Sequence, residues 1–373
     1  MEEKIITLGT YSFERAQIVK TILEADNIDC FIQNANILQA AISAGVKVRI
    51  REEDLERSMT LLENWIKPKE KRHEESIVEH PVRPRILVPV DFSDYSRKAA
   101  GVALDLAIIM EAELTLMHTY FDPVINALPF TDAYMYDVNM EDLAIDLKES
   151  GDKNLRELKH TLVEKAKLHP NVHVTLKTML SKGVAEDEIV RFSRLYQPTL
   201  VVMGTRGKDK KSSDFIGSVT AEVIDAARVP VLAIPEDFAY TGIDNIHNIL
   251  YATNFEESDF KALEQLERIV KPLNVNIHCI HVESMAKSQW DEVRMEGLRD
   301  YMKEKYSETN VVCDLVDAPD FADGIEKYIK EKNISILCIT TRRRNIISRL
   351  LNPSIAKKML FHSTTPLLVF QAK

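Results

Sequence analysis

The sequence lacks the features that mark membrane, secreted or zinc-binding proteins. No apolar run approaches the length of about 18 residues that a membrane-spanning helix needs, and residues 1–4 do not begin a signal peptide. The four cysteines are scattered, without a Cys-x-x-Cys motif or a histidine–cysteine cluster. This pattern predicts small buried side chains, and argues against a disulfide framework or zinc site. We therefore expect a cytoplasmic protein that does not enter a membrane.

A surplus of basic residues is also missing. The chain has 48 Lys and Arg against 58 Asp and Glu, and its net charge is -10. A dedicated nucleic-acid-binding protein usually presents a basic face, so we expect no nucleic-acid partner. Hydrophobic residues make up 45% of the 373 residues, which is enough for ordinary globular cores and predicts two or three domains.

Two common phosphate-binding motifs, G-x4-G-K-[ST] and G-x-G-x-x-G, do not occur. A different glycine pattern, G-x2-G-x9-G-S, runs from Gly204 through Gly207 to Gly217 and Ser218. It follows an apolar run that is typical of a buried parallel strand and precedes a helical segment at 219–228. Ser218 is the predicted N-cap, and the free N–H groups of the helix start suit a phosphate chain.

This spacing resembles that of ATP-binding universal stress proteins. The segment Arg85–Ser93 is similar to the first strand and turn of that family, and Val229–Ile234 is similar to its last strand. The resemblance covers roughly residues 83–235 strongly and 245–373 more weakly. It implies an α/β fold with a doubly wound parallel sheet, like that of the adenine nucleotide alpha-hydrolases. The alternative for the glycine pattern is a long loop between strand and helix that binds no ligand.

The resemblance also implies which residues contact ATP. Pro89, Asp91 and Thr119 would lie along the adenosine end, and Met203 near the ribose or base. The phosphates would be wrapped by Gly204, Gly207, Gly217, Ser218, Val219 and Thr220. Magnesium usually accompanies such phosphates, but the sequence assigns no acidic residue to it. Plain packing is the alternative for Pro89 and Met203, and helix capping is the alternative for Asp91.

Dedicated catalysis is not indicated. Phosphoryl transfer needs a positioned nucleophile or water together with charge stabilisation, and the sequence offers no convincing base. His118 lies on an apolar strand and is expected to be a hydrogen-bonded core histidine. Slow ATP hydrolysis is the most that we expect.

Residues 1–66 are predicted to form a small α+β domain in the order βαββα. Its first strand is predicted at 5–8 and is ended by Gly9, and Ser12 is the predicted N-cap of the following helix. The segment loosely resembles a small prokaryotic domain thought to transduce signals, which implies a regulatory or protein-docking module. Residues 67–84 are rich in proline and charge and are predicted to be a linker.

Two large domains follow, at 85–238 and 245–373, and we call them the first and second repeats. The segment 248–255 aligns with 85–92 at an offset of 163, and 335–343 aligns with 199–207 at an offset of 136. A register held over such stretches indicates a divergent internal repeat. The predicted third strand and two predicted helices of the first repeat are at 172–179, 140–168 and 185–196.

The repeats differ at the ligand positions. Asn254 replaces Asp91, and Thr340, Arg343 and Pro353 replace the three glycines, whereas Ser354 matches Ser218. We therefore expect one ATP per chain, in the first repeat. The second repeat would be structural or would bind an unknown protein partner. Arg342–Arg344 could bind an anion or carboxylates, or could be a solvated loop.

The last strands of the two repeats are expected to pair with each other within one chain, because an unpaired apolar edge invites pairing. A homodimer of the whole chain is a further possibility. The leading function is an ATP-binding protein of stress response or signalling, and the alternatives are a slow ATPase and a nucleotide-free interaction scaffold.

Overall fold

The computed structural model describes residues 5–11, 13–33, 46–66, 83–121, 137–169, 174–205, 217–283, 289–306, 309–342 and 364–372. The described residues form two compact units, one with a three-stranded sheet and one with a ten-stranded sheet. Among the helices of these residues, none is both long enough and apolar enough to cross a membrane.

The small unit has the predicted βαββα order. Its elements are β1 (Ile5–Tyr11), α1 (Phe13–Ala25), β2 (Cys30–Gln33), β3 (Val46–Arg51) and α2 (Leu55–Ile66). The antiparallel order β1-β3-β2 places β3 in the centre, and the core is formed by Ala16, Val19, Leu23, Val48 and Ile50. The prediction that Gly9 ends the first strand was wrong. The register of the pairing with β3 shifts between Thr7 and Gly9, so Leu8 is the extra residue of a bulge, and the strand continues through Gly9, which pairs with Val48. Ser12 lies outside the described residues.

The first repeat alternates strands and helices as predicted. Its elements are β4 (Arg85–Pro89), α3 (Asp94–Ile109), β5 (Glu113–Tyr120), α4 (Asp137–Ala166), β6 (Thr175–Lys182), α5 (Ala185–Tyr196), β7 (Leu200–Gly204), α6 (Ser218–Ala226) and β8 (Val231–Ile234). Ser93 caps α3, since its side chain accepts a hydrogen bond from the N–H of Ser96. The third strand begins and ends three residues later than predicted, because β6 pairs with β5 as far as Lys182. Ser218 is the first residue of α6 rather than the residue before it.

The second repeat has the same order of elements. They are β9 (Asn248–Ala252), α7 (Glu257–Val270), β10 (Asn276–Glu283), α8 (Gln289–Lys305), β11 (Val311–Asp317), α9 (Phe321–Lys332), β12 (Ile336–Arg342) and β13 (Leu367–Ala372). Residues 343–363, between β12 and β13, lie outside the described residues.

One sheet joins the two repeats. Its strand order is β11-β10-β9-β12-β13-β8-β7-β4-β5-β6, so each half repeats the other in reverse. Strands within each half are parallel, and the halves meet where β8 and β13 pair antiparallel. Leu232 faces Leu368 at the centre of that pairing, and the two leucines are equivalent at the 136-residue offset. The predicted pairing of the last strands within one chain is therefore confirmed.

Backbone hydrogen bonds confirm the repeat at the level of single residues. The N–H of Thr199 donates to the carbonyl of Arg85 at 2.8 Å, and the N–H of Ser335 donates to that of Asn248 at the same distance. The helices before these strands, α5 and α9, are followed by the C-cap residues Gln197 and Asn333, which have φ of 48° and 49°. The offsets read from the sequence thus describe equivalent positions in space.

Candidate functional site

Strand register brings several of the predicted ligand residues to one edge of the first repeat. β4 pairs with β7 through Leu87 and Val201, so Pro89 and Met203, each two residues further on, reach the same level of the sheet. Thr119 lies near the end of the neighbouring strand β5 and is half-buried. The carboxyl ends of parallel strands are where open α/β sheets bind ligands. Pro89 and Met203 are themselves buried, so packing occupies their side chains.

Asp91 begins the turn that leads from β4 into α3. Its Oδ1 accepts hydrogen bonds from the backbone N–H of Ser93 at 3.0 Å and from the Ser93 hydroxyl at 2.6 Å. The carboxylate therefore stabilises the turn and the helix start, as the capping interpretation expected. Both bonds use one oxygen. Among the described residues no hydrogen bond to the other carboxylate oxygen is seen, so that oxygen is available to a ligand hydroxyl.

A phenylalanine with left-handed backbone follows Asp91. Phe92 has φ of 63°, which is costly for a bulky side chain. Its ring lies 4.5 Å from that of His118, and Nδ1 of His118 lies 2.7 Å from the carbonyl oxygen of Val90. A carbonyl oxygen can only accept, so Nδ1 carries the proton. His118 thus holds the turn in place, in agreement with a structural histidine.

The second repeat has the same arrangement at the 163-residue offset. Phe255 has φ of 58°, its ring lies 4.6 Å from that of His281, and Nδ1 of His281 lies 2.8 Å from the carbonyl of Thr253. The left-handed phenylalanine was not foreseen. The recurrence of a phenylalanine and a histidine at one offset was the signal in the sequence that could have revealed it.

Gly204 lies where β7 reaches the first turn of α3. A Cβ atom at this position would meet the Cβ of Tyr95 at 2.9 Å and its backbone carbonyl carbon at 3.0 Å. The carbonyl of Gly204 accepts a hydrogen bond of 2.9 Å from the hydroxyl of Thr220, in the first turn of α6. The glycine therefore lets α3 approach the strand end, and Thr220 fixes the first turn of α6 against the same strand.

Tyr95 connects this edge to the segment between the repeats, a role that the sequence did not suggest. Its hydroxyl donates to the carboxylate of Glu236 at 2.6 Å, and Nζ of Lys98 donates to the carbonyl of Phe238 at 2.7 Å. The Tyr240 hydroxyl donates to Asp105 at 2.5 Å. Three residues of α3 thus hold the connecting segment. This segment follows β8, whose Ile234 is the register partner of Gly204.

The corresponding edge of the second repeat is filled by a buried polar network. Tyr251 and Thr340 occupy the positions of Val88 and Gly204, and their hydroxyl oxygens lie 2.5 Å apart. Tyr251 also donates to Oδ1 of Asp259 at 2.9 Å. Burial and the nearby Asp259 carboxylate raise the pKa of the Tyr251 hydroxyl well above 10.0, so it remains a neutral donor.

Asp259 accepts the hydrogen bonds of polar groups in the turn that follows β9. Its Oδ2 accepts from the Thr253 hydroxyl at 2.8 Å and from the backbone N–H groups of Asn254 at 2.9 Å and Glu256 at 3.1 Å. The equivalent residue of the first repeat is Ser96. In the second repeat, a buried carboxylate thus accepts the hydrogen bonds of the backbone N–H groups in this turn.

The remaining predicted residues divide into two groups. Gly217, Ser218 and Val219 are half-buried at the start of α6. Gly207 lies outside the described residues, as do Arg343, Arg344, Pro353 and Ser354. Among the residues that are described, no group of three or more His, Cys, Asp or Glu side chains could hold a metal ion.

Comparison with known proteins agrees with this architecture. Residues 83–235 and 245–371 each match the universal stress protein family. The chain belongs to that family. Residues 11–66 match a second family, described as "Putative prokaryotic signal transducing protein". This universal stress protein therefore carries two family domains in tandem after a small N-terminal domain.

Individual relatives resemble parts of the chain. A universal stress protein of Methanocaldococcus jannaschii is 31% identical over 150 residues, which cover 40% of this chain and 81% of that protein. One from Bacillus subtilis is 28% identical over 151 residues, covering 40% of this chain and 97% of that protein. A universal stress protein structure from Archaeoglobus fulgidus has a TM-score of 0.57 and 19% identity, and covers 77% of this chain and 96% of that chain. The last comparison shows the shared fold.

Proposed function

We propose that this universal stress protein binds one adenine nucleotide, ATP, at the carboxyl edge of the first repeat, and that occupancy of this site is a signal in stress response. The observation that carries the proposal is the contrast between equivalent strand ends. β7 ends in Gly204, near the half-buried turn that contains Asp91. At the equivalent position β12 carries Thr340, which is hydrogen-bonded to Tyr251, and Tyr251 in turn donates to the buried carboxylate of Asp259.

The residues of the first repeat suit such a ligand. The free oxygen of the Asp91 carboxylate can accept from a ribose hydroxyl, and the N–H groups at the start of α6 suit phosphate oxygens. Gly207 and Gly217 have no side chain and would let the backbone approach the phosphates closely. Magnesium would then be held by phosphate and water, since it keeps much of its hydration shell. Nucleotide occupancy would change how the protein meets its partner.

The second repeat serves as a structural or partner-binding half. A phosphate approaching β12 would meet the Thr340 side chain and the buried charge of Asp259, whose oxygens already hold the nearby N–H groups. Repulsion between two anions in a region of low dielectric opposes binding there.

Equilibrium dialysis of the full chain with ATP tests the stoichiometry, and we expect one nucleotide per chain. Asp91→Ala should weaken binding by at least tenfold, whereas the matched variant Asn254→Ala should leave it unchanged. Two nucleotides per chain would refute the assignment of the second repeat. Absence of binding would favour the nucleotide-free scaffold, and release of phosphate in step with binding would favour the slow ATPase.

Gly207→Arg gives the first repeat the residue that the second repeat carries. We expect it to abolish ATP binding in a calorimetric titration while the unfolding temperature stays unchanged, because the sequence predicts a loop at this position and loops contribute little to the core. Retained affinity would show that close approach at this glycine is not required.

A further inference from the structure

Two cysteines face each other across neighbouring strands of the second repeat. Cys279 on β10 and Cys313 on β11 are direct register partners in a parallel pair. Adjacent strands lie about 4.8 Å apart, which falls within the range of Cα separations that a disulfide spans. Both side chains are buried in the apolar cluster that also contains Met295, Leu298 and Met302 of α8.

The two sulfur atoms have different surroundings. Cys279 is fully enclosed, and its contact with the Cys313 thiol together with burial raises its pKa above 9.0. The hydrogen bond from Cys279 lowers the pKa of the Cys313 thiol below 9.0, and the nearby charge of Arg299 acts in the same direction. The Arg299 guanidinium is fixed there by a 2.8 Å hydrogen bond to the carbonyl of Cys313. Cys313 is therefore the more reactive thiol of the two.

The position of β11 favours reaction at Cys313. β11 is the outermost strand of its half of the sheet and pairs with β10 alone among the described strands. A strand held on one side can move to bring two Cβ atoms to the separation of about 3.8 Å that a disulfide requires. Cys338 lies two strands away from Cys279, with Tyr251 of β9 between them, and is too far to form a bond.

We propose that Cys313 and Cys279 form a reversible disulfide when the protein meets a hydroperoxide. The Cys313 sulfur attacks one peroxide oxygen, so that an S–O bond forms and the O–O bond breaks. The departing oxygen takes the proton of the Cys313 thiol and leaves as water or an alcohol. The Cys279 sulfur then attacks the Cys313 sulfur. An S–S bond forms, the S–O bond breaks, and the leaving oxygen takes the Cys279 proton to become water. Two thiols lose two electrons, the peroxide gains them, and a thiol reductant reverses the change.

This inference does not depend on nucleotide binding, since the pair lies in the second repeat. It adds a chemical input to the chain: the level of peroxide would decide whether the outer strand is covalently joined to its neighbour. Joining β11 to β10 restrains local opening of this edge.

Thiol counting on the full chain, unfolded after treatment with hydrogen peroxide and quenching, tests the proposal. The four free thiols of the wild type should fall to two, and peptides containing Cys279 and Cys313 should be found linked by mass spectrometry. Cys338→Ser is the matched control and should still lose two thiols. In Cys279→Ser the reaction should stop at a Cys313 sulfenic acid, which dimedone labels.

The measurement on the wild type decides the matter even if a variant fails to fold. Four remaining thiols, or over-oxidised Cys313 without a linked peptide, would overturn the proposal. A linked peptide that contained Cys338 would also contradict it, because the sheet keeps that residue apart.

Discussion

Gly204→Ala tests whether the glycine at the end of β7 is needed for packing against α3 or for contact with a ligand. The added methyl group would lie 2.9 Å from the Cβ of Tyr95, 3.0 Å from its carbonyl carbon and 3.1 Å from its carbonyl oxygen. Backbone atoms cannot rotate away, so α3 has to move. Overpacking of this kind costs about 1–3 kcal/mol, and the lower entropy of the unfolded alanine chain offsets about 0.4–1 kcal/mol. We expect a net loss of about 1–2 kcal/mol.

Gly101→Ala is the matched control. Gly101 lies within α3, and a Cβ there would meet nothing within 4 Å, so the substitution should stabilise the helix by about 0.5–1 kcal/mol. Since 1 kcal/mol shifts the unfolding temperature of a domain of this size by about 2–4 °C, the two variants should differ by about 3–12 °C in calorimetry without nucleotide. Equal unfolding temperatures, with ATP affinity lost in Gly204→Ala alone, would refute the packing argument and assign this glycine to the ligand.

Three further predictions concern the rest of the large unit. Burial lowers the pKa of His278 below 6.5, against the opposing charge of Asp314, so the unfolded chain binds this proton more tightly than the folded chain does. The free energy of unfolding, measured with urea, should therefore fall as the pH drops below about 6.5. An equal dependence of this free energy on pH in wild type and His278→Gln would contradict this. Asp259→Ala removes the acceptor of four hydrogen-bond donors and should lower the free energy of unfolding by about 3 kcal/mol in chemical denaturation. Ser96→Ala, at the equivalent position, should lower it by about 1 kcal/mol. Similar losses in the two variants would show that the network adds little stability. The isolated fragment 83–235 should dimerise through its exposed β8, and a monomeric mass in light scattering at high concentration would argue against it.

Local pattern was sufficient to predict most of the fold. Apolar runs located the strands, and α5 was predicted to the residue, because the spacing of its apolar residues is a local feature. The βαββα order of the small unit was also predicted, although its first strand was ended too early. A glycine in a strand can mark either an end or a bulge, and the choice depends on the partner strand, here β3.

Less of the candidate site could be predicted. The loss of glycines in the second repeat was visible, but the polar network that replaces them was not. Asp259 and Thr340 are 81 residues apart in sequence and are joined only through Tyr251, so no local pattern connects them. The bond between Tyr95 and Glu236 spans 141 residues and escaped for the same reason. Such contacts depend on the order of strands in the sheet.

The antiparallel pairing of β8 with β13 changes what a single substitution can do. In a dimer of two identical subunits, each residue of the interface and of the ligand edge occurs in both subunits. Any substitution therefore occurs twice and affects both sites. In this chain the two leucines that meet at the centre, Leu232 and Leu368, are encoded separately. Each half can therefore vary while the other is held fixed. An asymmetric molecule, with a glycine at the strand end of one half and a buried polar network at that of the other, needs this independence.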